Sequence, residues 1–239
     1  MPSEGPTQPL MTDEELPTGE AKVRAVRGMF DAIAPRYDLV NRIMTFGLDR
    51  GWRRRAVRAL GLGPSSVVLD LAAGTGDLCR DLQAAGHRPV GVDLSWGMLA
   101  AARTTAPLVQ ADVTRLPVPD GRVDGATCGF ALRNLADLDA FLAELARAVR
   151  PGGRVAVLEV AEPSSALLRW GHGVYFGKVV PRIGGLLSDR SAYRYLPRSV
   201  AYLPPPEELL RRFGAAGFTA TTRSALGGGA AQLLVATRG

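Results

Sequence analysis

Apolar positions recur along this chain with two different periods, and the change between them divides it. From Ser65 onward, short β-branched runs alternate with Ala/Leu-rich segments, which predicts a parallel sheet covered by helices on both faces. Strands are expected near 66–71, 89–93, 107–110, 123–128 and 154–160, with helices near 77–86, 96–103 and 137–149 between them. In the last helix Leu138, Phe141, Leu142, Leu145 and Val149 fall on one face, a core stripe rather than a ligand box. The closing stretch "GFTATTRSALGGGAAQLLVATRG" offers two more strands joined by glycines, a hairpin. The fold expected is α/β, Rossmann-like, with a mostly parallel seven-stranded sheet ending in an antiparallel hairpin.

Two blocks fall outside the alternation. Residues 22–60 read as two or three helices, with Trp52 and Ala56 sharing a face, and residues 164–215 form a long insertion with aromatics, glycines and three prolines at 204–206. An insertion placed after the last parallel strand is expected to supply a lid over a crevice at the carboxyl ends of the strands. Residues 1–21 are Pro-rich and acidic, a composition that predicts a disordered tail and leaves 22–239 as one domain.

Composition narrows this picture in three places. Cys79 and Cys128 lie far apart in a chain of 239 residues, so neither a disulfide framework nor a cysteine zinc site is indicated, and no other metal site is expected. No stretch approaches the roughly 18 apolar residues of a membrane span, and no apolar run follows a basic start; the expectation is a cytoplasmic protein, soluble or peripheral. The net charge of +6 is uneven, because residues 27–58 are rich in Arg. Such a patch suits phosphates or an anionic membrane surface at the inner face of the cell membrane.

The chemistry starts at "VVLDLAAGTGDL", residues 67–78. A strand ends, Gly74 and Gly76 permit a tight turn with close backbone approach, and a helix begins with free N–H groups. Cys79 stands where the third glycine of the dinucleotide fingerprint belongs, which counts against a dehydrogenase. Asp70 and Asp77 flank the turn, where a pyrophosphate would be repelled. S-adenosylmethionine carries an ammonium and a sulfonium and no phosphate, so a carboxylate here, with Asp70 the candidate, favours it. Asp93 closes the next strand, placed to accept both ribose hydroxyls. Asp112 follows the third strand, where it suits the adenine amino group while the Val113 N–H meets a ring nitrogen, and Gly129 ends the fourth strand without obstructing a ligand. A nucleic-acid methyltransferase, the reading suggested by the basic charge, lacks support: "GFAL" stands where an amino-directed enzyme resembles D/N-P-P-Y, and Cys128 in "ATCGF" has no neighbouring Pro. A non-catalytic adenosyl-binding protein remains the alternative from another class.

"FDAIAPRYDLVNRIMTFGLDRGWRRR", "LDLAAGTGDL", "GFALRNL", "RPGGRVAVLE" and "SDRSAYRYLPRSV" together resemble the UbiE/MenG/COQ5 family of quinone-biosynthesis C-methyltransferases, over nearly everything after the tail. The resemblance implies a class I methyltransferase fold and transfer of a methyl group from S-adenosylmethionine to a prenylated quinol, foremost demethylmenaquinol; a paralogue with another aromatic acceptor stays open. It places Thr75, Asp93, Leu94, Asp112, Val113 and Gly129 at the cofactor. Tyr37, Arg133, Asn134, Tyr193 and Tyr195 would face the acceptor. Arg133 is the candidate for stabilising a phenolate with its fixed fork, and Asn134 for orienting a ring oxygen or a water. His172 is expected to pack rather than act as a base. Arg-rich residues 50–58 with Trp170, Tyr175, Phe176 and Val179 would form an interfacial entry for a lipophilic acceptor; no nucleic-acid partner is expected, and a homodimer is compatible. Val40, Thr45 and Asp49 depart from the Met, Ser and His common in the family, and Ala148 and Ala161 from Arg and Ser.

Overall fold

The computed structural model describes residues 17–161, 195 and 198–239. Three helices come first: α1 (Gly19–Ile33), α2 (Tyr37–Met44) and α3 (Asp49–Leu60). The alternating part follows as β1 (Val67–Leu71), α4 (Asp77–Ala84), β2 (Arg88–Asp93), α5 (Trp96–Ala100), β3 (Leu108–Gln110), β4 (Val123–Gly129), α6 (Leu138–Ala148) and β5 (Val149–Val160). The chain closes with α7 (Pro206–Ala215), β6 (Phe218–Leu226) and β7 (Ala231–Arg238). The seven strands form one sheet in the order β3-β2-β1-β4-β5-β7-β6, parallel except for β7, which runs antiparallel to both β5 and β6. The strand order reverses between β1 and β4, and such a switch point opens a crevice at the carboxyl ends of the strands.

Alternation along β1 builds the core on both faces of the sheet. Leu69 and Leu71 join Phe141, Leu142, Leu209 and Phe213 on one side, while Val68 joins Val57 and Leu60 of α3 and Leu78 and Leu82 of α4 on the other. Each such side chain contributes about 1.5–3 kcal/mol by leaving water. Helix α7, counted with the lid insertion on sequence grounds, is therefore a core helix: Leu209 and Phe213 are fully buried. Helix α1 starts at Gly19, ahead of the boundary expected at 22.

Two other boundaries moved for local reasons. α5 stops at Ala100 because the Arg103 N–H donates to the Thr75 carbonyl (3.0 Å), drawing the chain off toward the loop after β1. The strand expected from 154 begins at Val149 instead, with a bulge within β5, since pairing with β4 passes from Val123↔Val149 to Gly125↔Arg154. Asp124 fixes it by accepting from Arg150 Nε and the Val67 N–H, both at 2.8 Å.

The Arg-rich helix α3 is not uniformly solvated. Arg53 is buried, bonded to Asp49 and reaching Asp77 (3.0 Å) and Asp81 (3.1 Å) of α4, and these carboxylates hold its guanidinium more strongly protonated despite burial. Arg50, Arg54, Arg55 and Arg58 remain exposed. Two of the departures from the family pattern meet here: Thr45 Oγ1 donates to Asp49 Oδ1 at 2.8 Å. They form one coupled pair at the elbow between α2 and α3.

Candidate functional site

Where β1 ends, the backbone turns through left-handed conformations at Ala72 (φ 55°), Gly74 (φ 56°) and Gly76 (φ 81°). This brings the Gly74 N–H to Asp93 Oδ2 (2.8 Å), while Asp93 Oδ1 accepts from the Ser95 N–H (2.8 Å). The tips of β1 and β2 are thus fastened through one carboxylate. Burial raises the Asp93 pKa, and its backbone donors oppose that rise.

Above these tips lies a cleft enclosing about 930 Å³ of empty space, part of it open solvent. Its lower wall includes Ala72, Gly74 and Gly129, and its side includes Asp93, Leu94, Asp112 and Val113. Asp112 Oδ1 accepts from the Thr114 N–H (2.8 Å) and Oγ1 (2.7 Å), which holds the carboxylate in place with Oδ2 left for a ligand. At Gly129 a Cβ would lie 2.8 Å from Leu78 Cδ1, so a larger residue there would require the Leu78 side chain to shift. At the far end Phe130 takes a left-handed conformation (φ 58°) next to Ala131 and Asn134.

Helix α1 closes the top through Val23, Val26 and Phe30, with Tyr37 beside them. It is fastened at both ends. Asp31 Oδ1 accepts from Ser95 Oγ (2.6 Å) and the Gly97 N–H (2.8 Å). Lys22 Nζ donates to the Leu135 carbonyl (2.7 Å) and sits 3.4 Å from the Tyr202 ring centroid, and burial lowers its pKa to about 8. The sequence pattern marked α1 only as a helix; its stripe of Val23, Val26 and Phe30 was the signal, since no core partner was evident for it. Ser95 and Met98 also line the cavity and were missed, as was the Ser95 cap, which accepts from the Met98 N–H (3.1 Å).

Four residues expected at the ligand are placed elsewhere. Asp70 is buried beneath the loop, accepting from Thr127 Oγ1 (2.8 Å) and Cys79 Sγ (3.3 Å). Thr75 bonds Asp38 and lines a second cavity with Leu39, Arg42 and Arg103. At Gly76 a Cβ would lie 2.7 Å from Thr104 Cγ2, so this glycine serves packing and its left-handed turn. Arg133 is paired with Glu159, which is fully buried, and also donates to the Phe130 carbonyl (2.8 Å); its charge is compensated below the cavity instead of projecting into it. Tyr193 and His172 lie outside the described residues, as do Trp170, Tyr175, Phe176 and Val179.

The acceptor end is a small polar network. Tyr195, buried, donates its O–H to Asn134 Oδ1 (3.2 Å), and Asn134 Nδ2 donates to the Phe130 carbonyl (3.4 Å). Burial pushes the Tyr37 hydroxyl up to about 12 and raises that of Tyr195, while the nearby Arg133 charge opposes both shifts. Both phenols are therefore protonated donors at neutral pH.

Asp70 supplies a pH test. Burial raises its pKa to about 7 from an ordinary 3.8, so between these values the folded chain binds more protons than the unfolded one and stability falls as pH rises. Asp70→Asn is expected to flatten that decline: thermal midpoints of variant and parent should diverge in the variant's favour from pH 5 to pH 8. Parallel curves across this window would refute the assignment.

Charge around the main cavity is dominated by Asp93, Asp112 and Asp137, against Arg27 as the lining cation among the described residues. These carboxylates, a floor free of side chains at Gly129 and donors left at Asn134 fit a phosphate-free, cationic adenosyl compound. Among the described residues no group of His, Cys, Asp and Glu could hold a metal ion.

The sequence pattern of the ubiE/COQ5 methyltransferase family matches residues 18–238. A demethylmenaquinone methyltransferase of Thermus thermophilus is 47% identical over 202 residues, covering 80% of this chain and 91% of that protein. The ubiquinone/menaquinone biosynthesis C-methyltransferase UbiE of Syntrophotalea carbinolica is 44% identical over 218 residues, 87% and 91% of the two chains. Among solved structures, an S-adenosylmethionine-dependent methyltransferase from Thermotoga maritima superposes with a TM-score of 0.64 at 18% identity, over 90% of this chain and 100% of that one, a likeness of fold.

Proposed function

The chain belongs to the ubiE/COQ5 methyltransferase family, and from that membership we propose the reaction and the residues that perform it. It is an S-adenosylmethionine-dependent methyltransferase that methylates a quinol in menaquinone biosynthesis, with demethylmenaquinol as the acceptor. The observation that carries the reading is the acid-lined cavity at the switch point of the sheet, beside the Asn134–Tyr195 network.

S-adenosylmethionine supplies a methyl group on a positively charged sulfur. The chain's part is to bind it, align the acceptor carbon with that methyl and exclude water. Asp93 accepts from the ribose hydroxyls with the lone pairs that Gly74 and Ser95 leave, and Asp112 accepts from the adenine amino group while the Val113 N–H serves a ring nitrogen. Leu94 and Gly129 shape the slot. The acceptor carbon is a poor nucleophile until a neighbouring hydroxyl ionises, so donors that favour the oxyanion lower the barrier. Asn134 is the group suited to this: Tyr195 fixes its amide oxygen, one N–H goes to Phe130, and the second remains for the acceptor oxygen. Tyr37 adds a neutral O–H. Arg133 acts at one remove, its charge making both tyrosines better donors.

Incubating the protein with S-adenosylmethionine and a short-chain demethylmenaquinol is expected to give the singly methylated quinol by mass spectrometry; cofactor binding with no product would overturn the acceptor. Asn134→Ala should lower kcat by about 10–100-fold, the loss of one hydrogen bond to a charged group, with cofactor affinity kept. Unchanged kcat would remove Asn134 from the reaction.

No helix among the described residues is long and apolar enough to cross a membrane. A prenylated acceptor keeps its tail in the bilayer, so the reading includes peripheral contact with the inner face of the cell membrane.

A further inference from the structure

Trp52 and Ala56 share one face of α3, but only Ala56 is fully buried by the core, with Val57 and Leu60 beside it. Trp52, one turn earlier, is half-buried and packs at the edge of the same cluster. Its indole touches two backbone positions that are both left-handed. The first is Gly227 (φ 56°), which opens the turn joining β6 to β7. A Cβ there would lie 2.5 Å from Trp52 Cζ2 and 3.3 Å from Cε2, so the indole lies directly against an α-carbon that has to be bare. The second is Phe130, whose ring centroid is 6.4 Å from that of Trp52 with the planes inclined at 52°, a favourable aromatic contact.

The left-handed backbone of Phe130 (φ 58°) is one that a residue with a Cβ resists, and it persists only where the surroundings fix it. Two backbone groups share in this. The Phe130 N–H donates to the Leu158 carbonyl (2.6 Å), and the Phe130 carbonyl accepts from Arg133 Nη1 (2.8 Å) and Asn134 Nδ2 (3.4 Å). The ring is the third hold, and Trp52 is its aromatic partner among the described residues. The Asn134 amide depends on all three: held only at Oδ1 by Tyr195 (3.2 Å) it is free to tilt, and the bond from Nδ2 to the Phe130 carbonyl removes that freedom.

We propose that Trp52 is a positioning residue for methyl transfer: seated against Gly227, its indole holds the Phe130 ring and so keeps the left-handed Phe130 carbonyl aimed at the Asn134 amide. Trp52 stands outside the cavity wall formed by the described residues and acts only through Phe130. The turn of the β6–β7 hairpin thereby belongs to the acceptor end, because a side chain at Gly227 would displace the indole. For its catalytic consequence the proposal rests on the reading of Asn134 as donor to the acceptor oxygen; the mechanical link from Trp52 to Asn134 rests on packing and hydrogen bonds alone.

The test compares Trp52→Leu, which keeps apolar bulk and loses the ring plane, with the conservative Trp52→Phe, both in the full chain. Trp52→Leu is expected to lower kcat for the short-chain demethylmenaquinol about tenfold, since a small misplacement imposed from a distance suffices for such a loss. Its S-adenosylmethionine affinity by calorimetry should stay within about twofold of the parent, and Trp52→Phe should recover most of the rate. In an Asn134→Ala background Trp52→Leu should cost less than about twofold, because the group it positions is already gone. An equal loss in both backgrounds, or a kcat that Trp52→Leu leaves unchanged, would overturn the proposal. Gly227→Ala, which drives a methyl group against the indole, should reproduce the Trp52→Leu pattern and replaces it if the leucine variant does not fold. A second readout is independent of turnover. In NMR spectra the Asn134 side-chain amide, identified by its loss in Asn134→Ala, should give one sharp pair of proton signals in the parent and in Trp52→Phe, and a broadened or doubled pair in Trp52→Leu. If the parent methylates no short-chain quinol, this pair decides: broadening upholds the link while the acceptor reading falls, and a pair as sharp in Trp52→Leu as in the parent overturns the link.

Discussion

Asp93→Ala is expected to weaken S-adenosylmethionine binding by about 10²–10⁴-fold, measured by calorimetry. Two charge-assisted hydrogen bonds to a ribose diol are lost, each worth about 1.5–3 kcal/mol, and the Gly74 and Ser95 N–H groups lose the carboxylate that fastens the two strand tips. Asp93→Asn separates these contributions. The amide oxygen can still accept from one of the two N–H groups, so loop order should largely survive while the charged acceptor is gone. An affinity within threefold of the parent in Asp93→Ala would show that the cavity does not hold the ribose at this carboxylate.

Removing Glu159 is expected to cost the fold more than it costs the chemistry directly. Glu159 is fully buried, and it is the ion-pair partner of Arg133. Glu159→Ala leaves a buried guanidinium uncompensated, and breaking such a pair costs about 3–5 kcal/mol. For a chain of this size that corresponds to a fall in thermal midpoint of roughly 6–20 °C. Glu159→Gln keeps an acceptor for the Arg133 bonds and should fall between the parent and the alanine variant. A midpoint within 2 °C of the parent for Glu159→Ala would show that Arg133 finds water or another acceptor when the carboxylate is removed.

The same residues show what could be read from the linear pattern and what could not. Acids at strand ends pointed to a crevice there, and Asp93, the last residue of β2, and Asp112, just beyond β3, line the cavity. Asp70 looked equivalent, but it is the penultimate residue of β1. Its neighbours Leu69 and Leu71 face the α6 side, so strand alternation turns Asp70 the other way, toward Cys79 of α4, and not out of the sheet end. One position along a strand separates a rim carboxylate from a buried one. Arg133 lies beneath the cavity, paired with Glu159, for a related reason. Glu159 sits inside the apolar run "VAVLEVA", and an acid in such a run implies a buried cation nearby, but only the pairing of β5 with β4 brings that acid under the loop carrying Arg133. The hairpin, the core stripe of α6 and the sheet class were legible because each depends on local period alone.

Helix α1 also bears on access to the cavity. A molecule lodged between the strand tips and this helix lies under a cover hydrogen-bonded at both ends to segments that follow the strands, through Lys22 to Leu135 and through Asp31 to Ser95 and Gly97. Lifting one end of that cover would widen the way in and out of the partly open cavity, and the Lys22 ammonium, held against a single carbonyl and one aromatic face, is the lighter hinge.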